Sequence, residues 1–219
     1  MIDNLNTRWE DGTNELILKL EEKGLNFEKM NALEMFGRDG TWHTSIFAKK
    51  VQSIEIWEID KKWEQNLNQN FPNSRIKILD SIKTISTNQF FSKFDLLLID
   101  NPMNVFGNQR KNGNKLYCEH FDLITKIGKL AKDKILVIFN VNRCPFNYEN
   151  YPLWKKFRES FYGNVDTSDM DLDFLHTFYH DLFKELGFTT IFSIDTVRVF
   201  HQEKDMTYYF AYYLQKNMK

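Results

Sequence analysis

The sequence predicts an α/β fold: a seven-stranded, mostly parallel sheet with helices on both faces and a C-terminal antiparallel hairpin. Three observations predict it. Short β-like apolar runs alternate with helix-like stretches over the first two thirds of the chain, the pattern of parallel strands joined by right-handed crossovers. One run, Phe-Asp-Leu-Leu-Leu-Ile at 94–99, is apolar almost throughout, as suits a central strand covered on both faces. Two β-rich runs, Thr189 to Phe200 and Thr207 to Leu214, flank the polar turn His201 to Asp205 and read as a hairpin.

The elements follow in order. Thr13 to Lys23 carries Leu16, Ile17 and Leu20 at helical spacing and stops at Gly24, predicting an opening helix. Met30 to Met35 reads as the first strand, Trp42 to Lys50 as a helix, and Ser53 to Ile59 as a strand of alternating apolar and acidic residues. Lys61 to Asn70 is the next helix, halted near Pro72, and Arg75 to Leu79 is a short strand. Beyond the run at 94–99, Tyr117 to Lys132 sets Phe121, Ile124, Ile127 and Leu130 on one helical stripe, and Lys134 to Phe139 is a further buried strand. Asn140 to Met170 is rich in aromatics, Asn and Asp without periodicity, a length of irregular chain that usually serves a function. Asp171 to Leu186 is a helix ended by Gly187. With no repeat and no low-complexity linker, the chain reads as one domain over 1–219 with a substrate-side insertion at 141–170.

Composition narrows the function classes. A formal net charge of -1 with 27% charged residues gives no global bias toward nucleic acid, although a local basic surface stays open. The two cysteines, Cys118 and Cys144, suggest neither a disulfide framework nor a metal cluster. The polar, acidic start lacks a signal-peptide pattern, and the longest apolar runs fall far short of the roughly 20 residues that span a bilayer. The expectation is a cytoplasmic protein without a membrane partner.

In such a sheet the ligand crevice lies at the carboxyl ends of the strands, so the residues that follow each strand are the candidates. Residues 32–40, Ala-Leu-Glu-Met-Phe-Gly-Arg-Asp-Gly, run from a strand through a tight turn toward a helix, a place suited to a nucleotide-like cofactor. The second strand ends Glu-Ile-Trp-Glu-Ile-Asp at 55–60, the third Lys-Ile-Leu-Asp-Ser-Ile at 77–82, and the fourth Ile-Asp-Asn-Pro-Met-Asn at 99–104. Glu34, Glu58 and Asp80 thus stand at three successive strand ends. Each also has an ordinary reading: a capping or turn role for the acids, with Asp60 placed as a helix N-cap, and a simple turn at Asn101-Pro102.

On these residues, over roughly 12 to 214, the chain resembles the class I S-adenosylmethionine-dependent methyltransferase superfamily, whose fold is Rossmann-like. The resemblance implies S-adenosylmethionine as cofactor. Glu34 would bind its cationic amino group, directly or through water, with Phe36, Gly37 and Gly40 shaping the loop around the methionine part; Arg38 stands where the family often has glycine. Glu58 would accept the ribose hydroxyls, with Asp60 the fallback, and Ile59 would lie on the adenine face. Asp80 would take the adenine amino group and Ser81 would supply a neighbouring amide. The fourth strand end is similar to the Asp/Asn-Pro-Pro-Tyr/Phe motif of amino-methylating enzymes, with Asp100 and Pro102 retained and Asn101 and Met103 in place of proline and the aromatic. Asp100 and Asn101 are therefore the catalytic candidates, holding an amine or, through Asp100, orienting or deprotonating a hydroxyl.

The expected function is methyl transfer to a nitrogen or oxygen of an unidentified acceptor, with a small molecule or sugar-like precursor favoured slightly over nucleic acid. Base amino-methylation is the alternative, and a catalytically silent cofactor-binding partner protein is the alternative from another class. A nicotinamide-dependent oxidoreductase shares the acid near the second strand end, but the three-glycine fingerprint is missing. The basic segment 109–115 reads as a solvated loop or an anion contact, and Cys144 to Trp154 as a lid, a dimer contact or a small core of its own. His176 and His180, with Asp173, have metal-compatible spacing, yet no wider ligand pattern supports a metal. Oligomeric state is open.

Overall fold

A computed structural model describes residues 9–87, 93–100, 120–142, 152, 171–200 and 203–217. Its strands are β1 (Asn31–Glu34), β2 (Ser53–Glu58), β3 (Arg75–Ile78), β4 (Phe94–Ile99), β5 (Ala131–Asn142), β6 (Phe188–Phe200) and β7 (Glu203–Lys216). The helices are α1 (Trp9–Glu22), α2 (His43–Phe47), α3 (Glu64–Asn70), α4 (Ser81–Ser86), α5 (Phe121–Ile124) and α6 (Leu172–Glu185). All seven strands form one sheet in the order β3-β2-β1-β4-β5-β7-β6. The pairs from β3 to β5 are parallel, and β7 runs antiparallel between β5 and β6. The predicted mostly parallel sheet with a terminal hairpin is therefore present.

Side chains alternate across the sheet with a period of two, and both faces are covered. Leu33, Leu97, Ile99, Val137, Phe139, Phe210 and Tyr212 face one core, with Ile85 of α4, Ile124 of α5 and Leu175, Tyr179 and Phe183 of α6. Ala32, Ile54, Ile56, Leu96, Leu98, Leu136, Ile138 and Tyr209 face the other, with Leu16, Ile17 and Leu20 of α1, Phe47 of α2 and Leu67 of α3. The apolar run of β4 reflects this double coverage, since Leu96 through Ile99 are all fully buried.

The chain adds β2 and β3 to one side of β1 and then returns to place β4 on the other. Such a reversal, over the ends of β1 and β4, is the general ligand position in open α/β sheets. Glu34, the last residue of β1, pairs with Ile56 of β2 and Leu98 of β4, which brings the ends of all three strands to one rim.

Several elements differ from their sequence expectation. The stripe at 121, 124, 127 and 130 spans a one-turn α5, a 3₁₀ turn at Ile127–Lys129 and then β5, which already begins at Ala131. A spacing of three suits a 3₁₀ turn as well as an α-helix, so the pattern did not mark the break. Helix α4 has no counterpart in the sequence pattern; it is too short for a periodic signal and is fixed by its cap, with the Lys83 amide donating to Asp80 Oδ1 at 3.0 Å. Asn101, the basic segment 109–115, both cysteines and all of the 144–154 aromatic stretch except Pro152 lie outside the described residues. Among the described residues no helix is long and apolar enough to cross a membrane.

Candidate functional site

In the turn after β1, the backbone amides of residues 36, 37, 38 and 40 are taken up by protein acceptors. The Phe36 amide donates to Glu34 Oε1 at 3.0 Å, the Gly37 amide to the Trp57 carbonyl at 2.9 Å, the Arg38 amide to Glu58 Oε2 at 2.6 Å and the Gly40 amide to the Gly37 carbonyl at 2.8 Å. Glycine at 37 is required by this close approach, because a Cβ there would lie 2.3 Å from Ile56 Cγ2. Gly40 adopts φ +75, and a Cβ would meet the Phe71 ring. Arg38 also has a positive φ, of 48, at the position where the resembled family often has glycine. The bond to the Glu58 carboxylate holds that conformation, and the exposed guanidinium lies 5.6 Å from the Trp42 ring and 5.9 Å from the Trp63 ring.

The end of β2 serves two roles. Glu58 is 7% exposed and bridges the two turns, accepting the Arg38 amide through Oε2 and the Asp60 amide at 2.7 Å through Oε1. Ile59 beside it is 67% exposed, an apolar side chain presented to a ligand or to water. Asp60 takes the capping role: it accepts the Lys62 amide at 3.1 Å and pairs with the Lys62 ammonium, and those hydrogen bonds hold its carboxyl below the usual range. At the end of β3, Asp80 caps α4, and Ser81 is buried with its hydroxyl donating to the Met35 carbonyl at 2.6 Å. This last bond ties the third strand end to the first.

Between β1 and β4 lies a charge cluster that sequence reasoning did not assemble. Glu34 is fully buried and its Oε2 meets His43 Nε2 at 2.5 Å and the Thr44 hydroxyl at 3.2 Å. On its other side, His43 Nδ1 lies 2.8 Å from Asp100 Oδ2. Burial alone would push the imidazole down, but the combined fields and hydrogen bonds of Asp100 and Glu34 outweigh it and raise His43 to about 9. His43 is therefore an imidazolium at neutral pH, held between two carboxylates. The clue lay in the expected topology: adjacent β1 and β4 put Glu34 and Asp100 side by side, and two buried acids demand a cation.

His120 is the second group that the sequence did not single out. It precedes α5, is 3% exposed, and its Nε2 lies 2.9 Å from the Asn140 carbonyl and 3.0 Å from Asn140 Oδ1. Burial lowers its pKa against the opposing effects of Asn140 and Asp100. His176, by contrast, is bound away from the crevice to Asp195 at 2.9 Å and Tyr212 at 3.0 Å, while His180 is exposed. No group of three or more potential metal ligands is assembled among the described residues.

No family model and no curated protein matches the chain by sequence. Solved structures do match over nearly its whole length. They include a 1,6-didemethyltoxoflavin N1-methyltransferase from Burkholderia thailandensis with bound S-adenosylhomocysteine (TM-score 0.56, 10% identity, 98% of this chain and 80% of that one). The N-methyltransferase NodS from Bradyrhizobium japonicum matches with TM-score 0.55 and 11% identity over 97% of this chain and 99% of its own.

The fold is that of the class I methyltransferases.

A Pyrococcus horikoshii protein provisionally assigned as an RNA methyltransferase shares this methyltransferase fold (TM-score 0.56, 15% identity, 95% of this chain and 84% of that one). Identities this low establish the architecture and leave the acceptor open, since the named neighbours differ in what they methylate. At the strand ends, Ile59 is left uncovered, whereas Glu34 and the amides of residues 36, 37, 38 and 40 are engaged by protein groups.

Proposed function

We propose that the protein is an S-adenosylmethionine-dependent methyltransferase that moves a methyl group to a nitrogen or oxygen of an acceptor, a small molecule or sugar-like precursor in preference to nucleic acid, in the cytoplasm. One observation carries this reading: Glu34 and Glu58 end β1 and β2 and Asp80 follows β3, three adjacent parallel strands of a methyltransferase-like sheet, and the apolar Ile59 is left exposed after β2. A row of acids beside an uncovered apolar side chain suits a ligand with a cationic group, a diol and a flat ring. When bound, the cofactor supplies a methyl group already activated by its sulfonium.

The chain's residues would then bind and orient. Ile59 would cover one adenine face. Glu58 keeps acceptor capacity beyond its two backbone bonds, since a carboxylate offers about four lone-pair sites, and would take the ribose hydroxyls. Asp80 would receive the adenine amino group while still capping α4. Glu34 would act on the ammonium through the network it shares with His43 and Thr44, with Phe36, Gly37, Gly40 and Ser81 setting the shape of the pocket. Asp100 and, by resemblance, Asn101 would stand on the acceptor side.

Parallel calorimetry with S-adenosylhomocysteine and NADH tests the reading. Binding of the former alone is expected; NADH binding without a response to the sulfur compound sinks it. The His43 cluster favours a second reading, a silent cofactor-binding partner protein, because a cation of the protein already neutralises the acids where an acceptor amine would sit. Cofactor binding without labelled-methyl transfer across a broad acceptor panel would select that reading.

A further inference from the structure

His120 is buried at the carboxyl end of the sheet beside β4 and β5, yet one of its ring nitrogens has no hydrogen-bond partner among the described residues. A backbone carbonyl can only accept, so the contact of Nε2 with the Asn140 carbonyl puts the ring proton on Nε2. Nδ1 is left as a bare lone pair. Buried polar atoms are nearly always satisfied, and an orphaned one beside the strand ends calls for a chemical explanation.

We propose that His120 Nδ1 receives the proton of the methyl acceptor, and that the acceptor group is accordingly a hydroxyl. This rests on the methyltransferase reading above. A neutral amine attacks through a free pair and sheds its proton to water afterwards, so it has little use for a buried base. A hydroxyl oxygen that gained a methyl group with its proton still in place would become a strongly acidic oxonium, so that proton must leave as the new bond forms. At His120 the O–H bond breaks and an Nδ1–H bond forms. The pair left on oxygen takes the methyl group, and the donor sulfur keeps the electrons of the bond it loses. The imidazolium then returns its proton to water.

The surroundings suit a base that rests unprotonated. The Phe139 ring lies near perpendicular to the imidazole at a 6.3 Å centroid distance and the Phe36 ring at 6.4 Å, so two aromatic rings neighbour it. Asp100, just after β4, is the charged group that acts on His120, and behind it stand His43 of α2 and Glu34 of β1; Asn140 of β5 and Tyr179 of α6, packed on Phe139, are neutral. Burial keeps the free ring neutral, while the Asp100 carboxylate stabilises the imidazolium once it forms.

The test begins with ring-¹⁵N-labelled histidine NMR at neutral pH, which reads the site without turnover. A protonated Nε2 and a bare Nδ1 at His120 are expected; the opposite tautomer or a doubly protonated ring overturns the proposal. The second step compares the native protein with His120→Gln, which keeps a nitrogen donor toward Asn140 and lacks the basic nitrogen. S-adenosylhomocysteine affinity should stay within twofold, while transfer from labelled S-adenosylmethionine to hydroxyl members of matched hydroxyl and amine acceptor pairs should fall by about 10² to 10⁴. The native rate should fall as pH drops on the acid side of the ordinary histidine range, and the variant should lack that limb. Transfer confined to amines, transfer insensitive to the substitution, or cofactor binding with no hydroxyl methylated would each overturn it. Failure to bind S-adenosylhomocysteine at all would instead sink the methyltransferase reading.

Discussion

Replacing His43 with leucine probes the charge cluster directly. In the native protein one imidazolium stands between Glu34, which is fully buried, and Asp100, which is 9% exposed. His43→Leu leaves two buried carboxylates facing each other without a cation, and removal of one partner from a buried ion pair costs about 3–5 kcal/mol. Linkage gives a consistent size. His43 is raised from 6.5 to about 9, and a change of that extent corresponds to roughly 3 kcal/mol. Because the folded state holds this proton more tightly than the unfolded chain, the contribution is complete below pH 6.5 and is lost as pH rises through about 9. Urea unfolding at pH 6 should show the variant less stable by 3 kcal/mol or more, and the native midpoint should decline between pH 6.5 and 9. NMR titration of the His43 ring should place its midpoint near 9. A variant within 1 kcal/mol of the native protein, or a His43 ring that titrates below 7, would refute the assignment of a buried imidazolium.

Three further substitutions separate structural from ligand roles. Gly37→Ala forces a Cβ to 2.3 Å from Ile56 Cγ2, and overpacking of this kind should lower stability by about 1–3 kcal/mol in thermal or urea unfolding. Glu58→Ala orphans the Arg38 and Asp60 amides together, so it should lower both stability, by about 2 kcal/mol or more, and S-adenosylhomocysteine affinity; unchanged unfolding would show that the bridge between the two turns is dispensable. Ile59→Ser removes an exposed side chain and should leave stability within about 0.5 kcal/mol while weakening S-adenosylhomocysteine binding severalfold in calorimetry. Equal affinity would remove Ile59 from the adenine face.

The parts of the fold that were legible in the sequence are those with strong periodic or run-length signals. β4 was bounded correctly at 94–99 because burial on both faces leaves little choice of residue, and the order of β-then-α steps carried the parallel sheet with it. Where a signal depended on three or four residues, as at α4 or the 3₁₀ turn at Ile127–Lys129, local caps decided the structure and periodicity had too few points to register. The candidate site shows the same division. Its acids could be picked out because they follow strands, whereas His43 and His120 acquire meaning only from partners distant in sequence, Asp100 and Asn140. The turn glycines were found for a ligand role, yet the immediate need for Gly37 is the nearby side chain of Ile56.

The position of β7 bears on how the chain reaches its native state. Lys134 of β5 pairs with Gln215 of β7, and Thr196 of β6 donates to the Gly12 carbonyl of α1, so late strands complete contacts with some of the earliest residues. Until β7 is seated, β5 presents an unpaired apolar edge and β6 has no neighbour in the sheet. Ordering of β1 through β5 can precede this step; closure cannot. The barrier to folding should therefore be dominated by long-range strand insertion, and a nascent chain still lacking residues 203–216 would carry an open sheet edge available for mispairing with other chains.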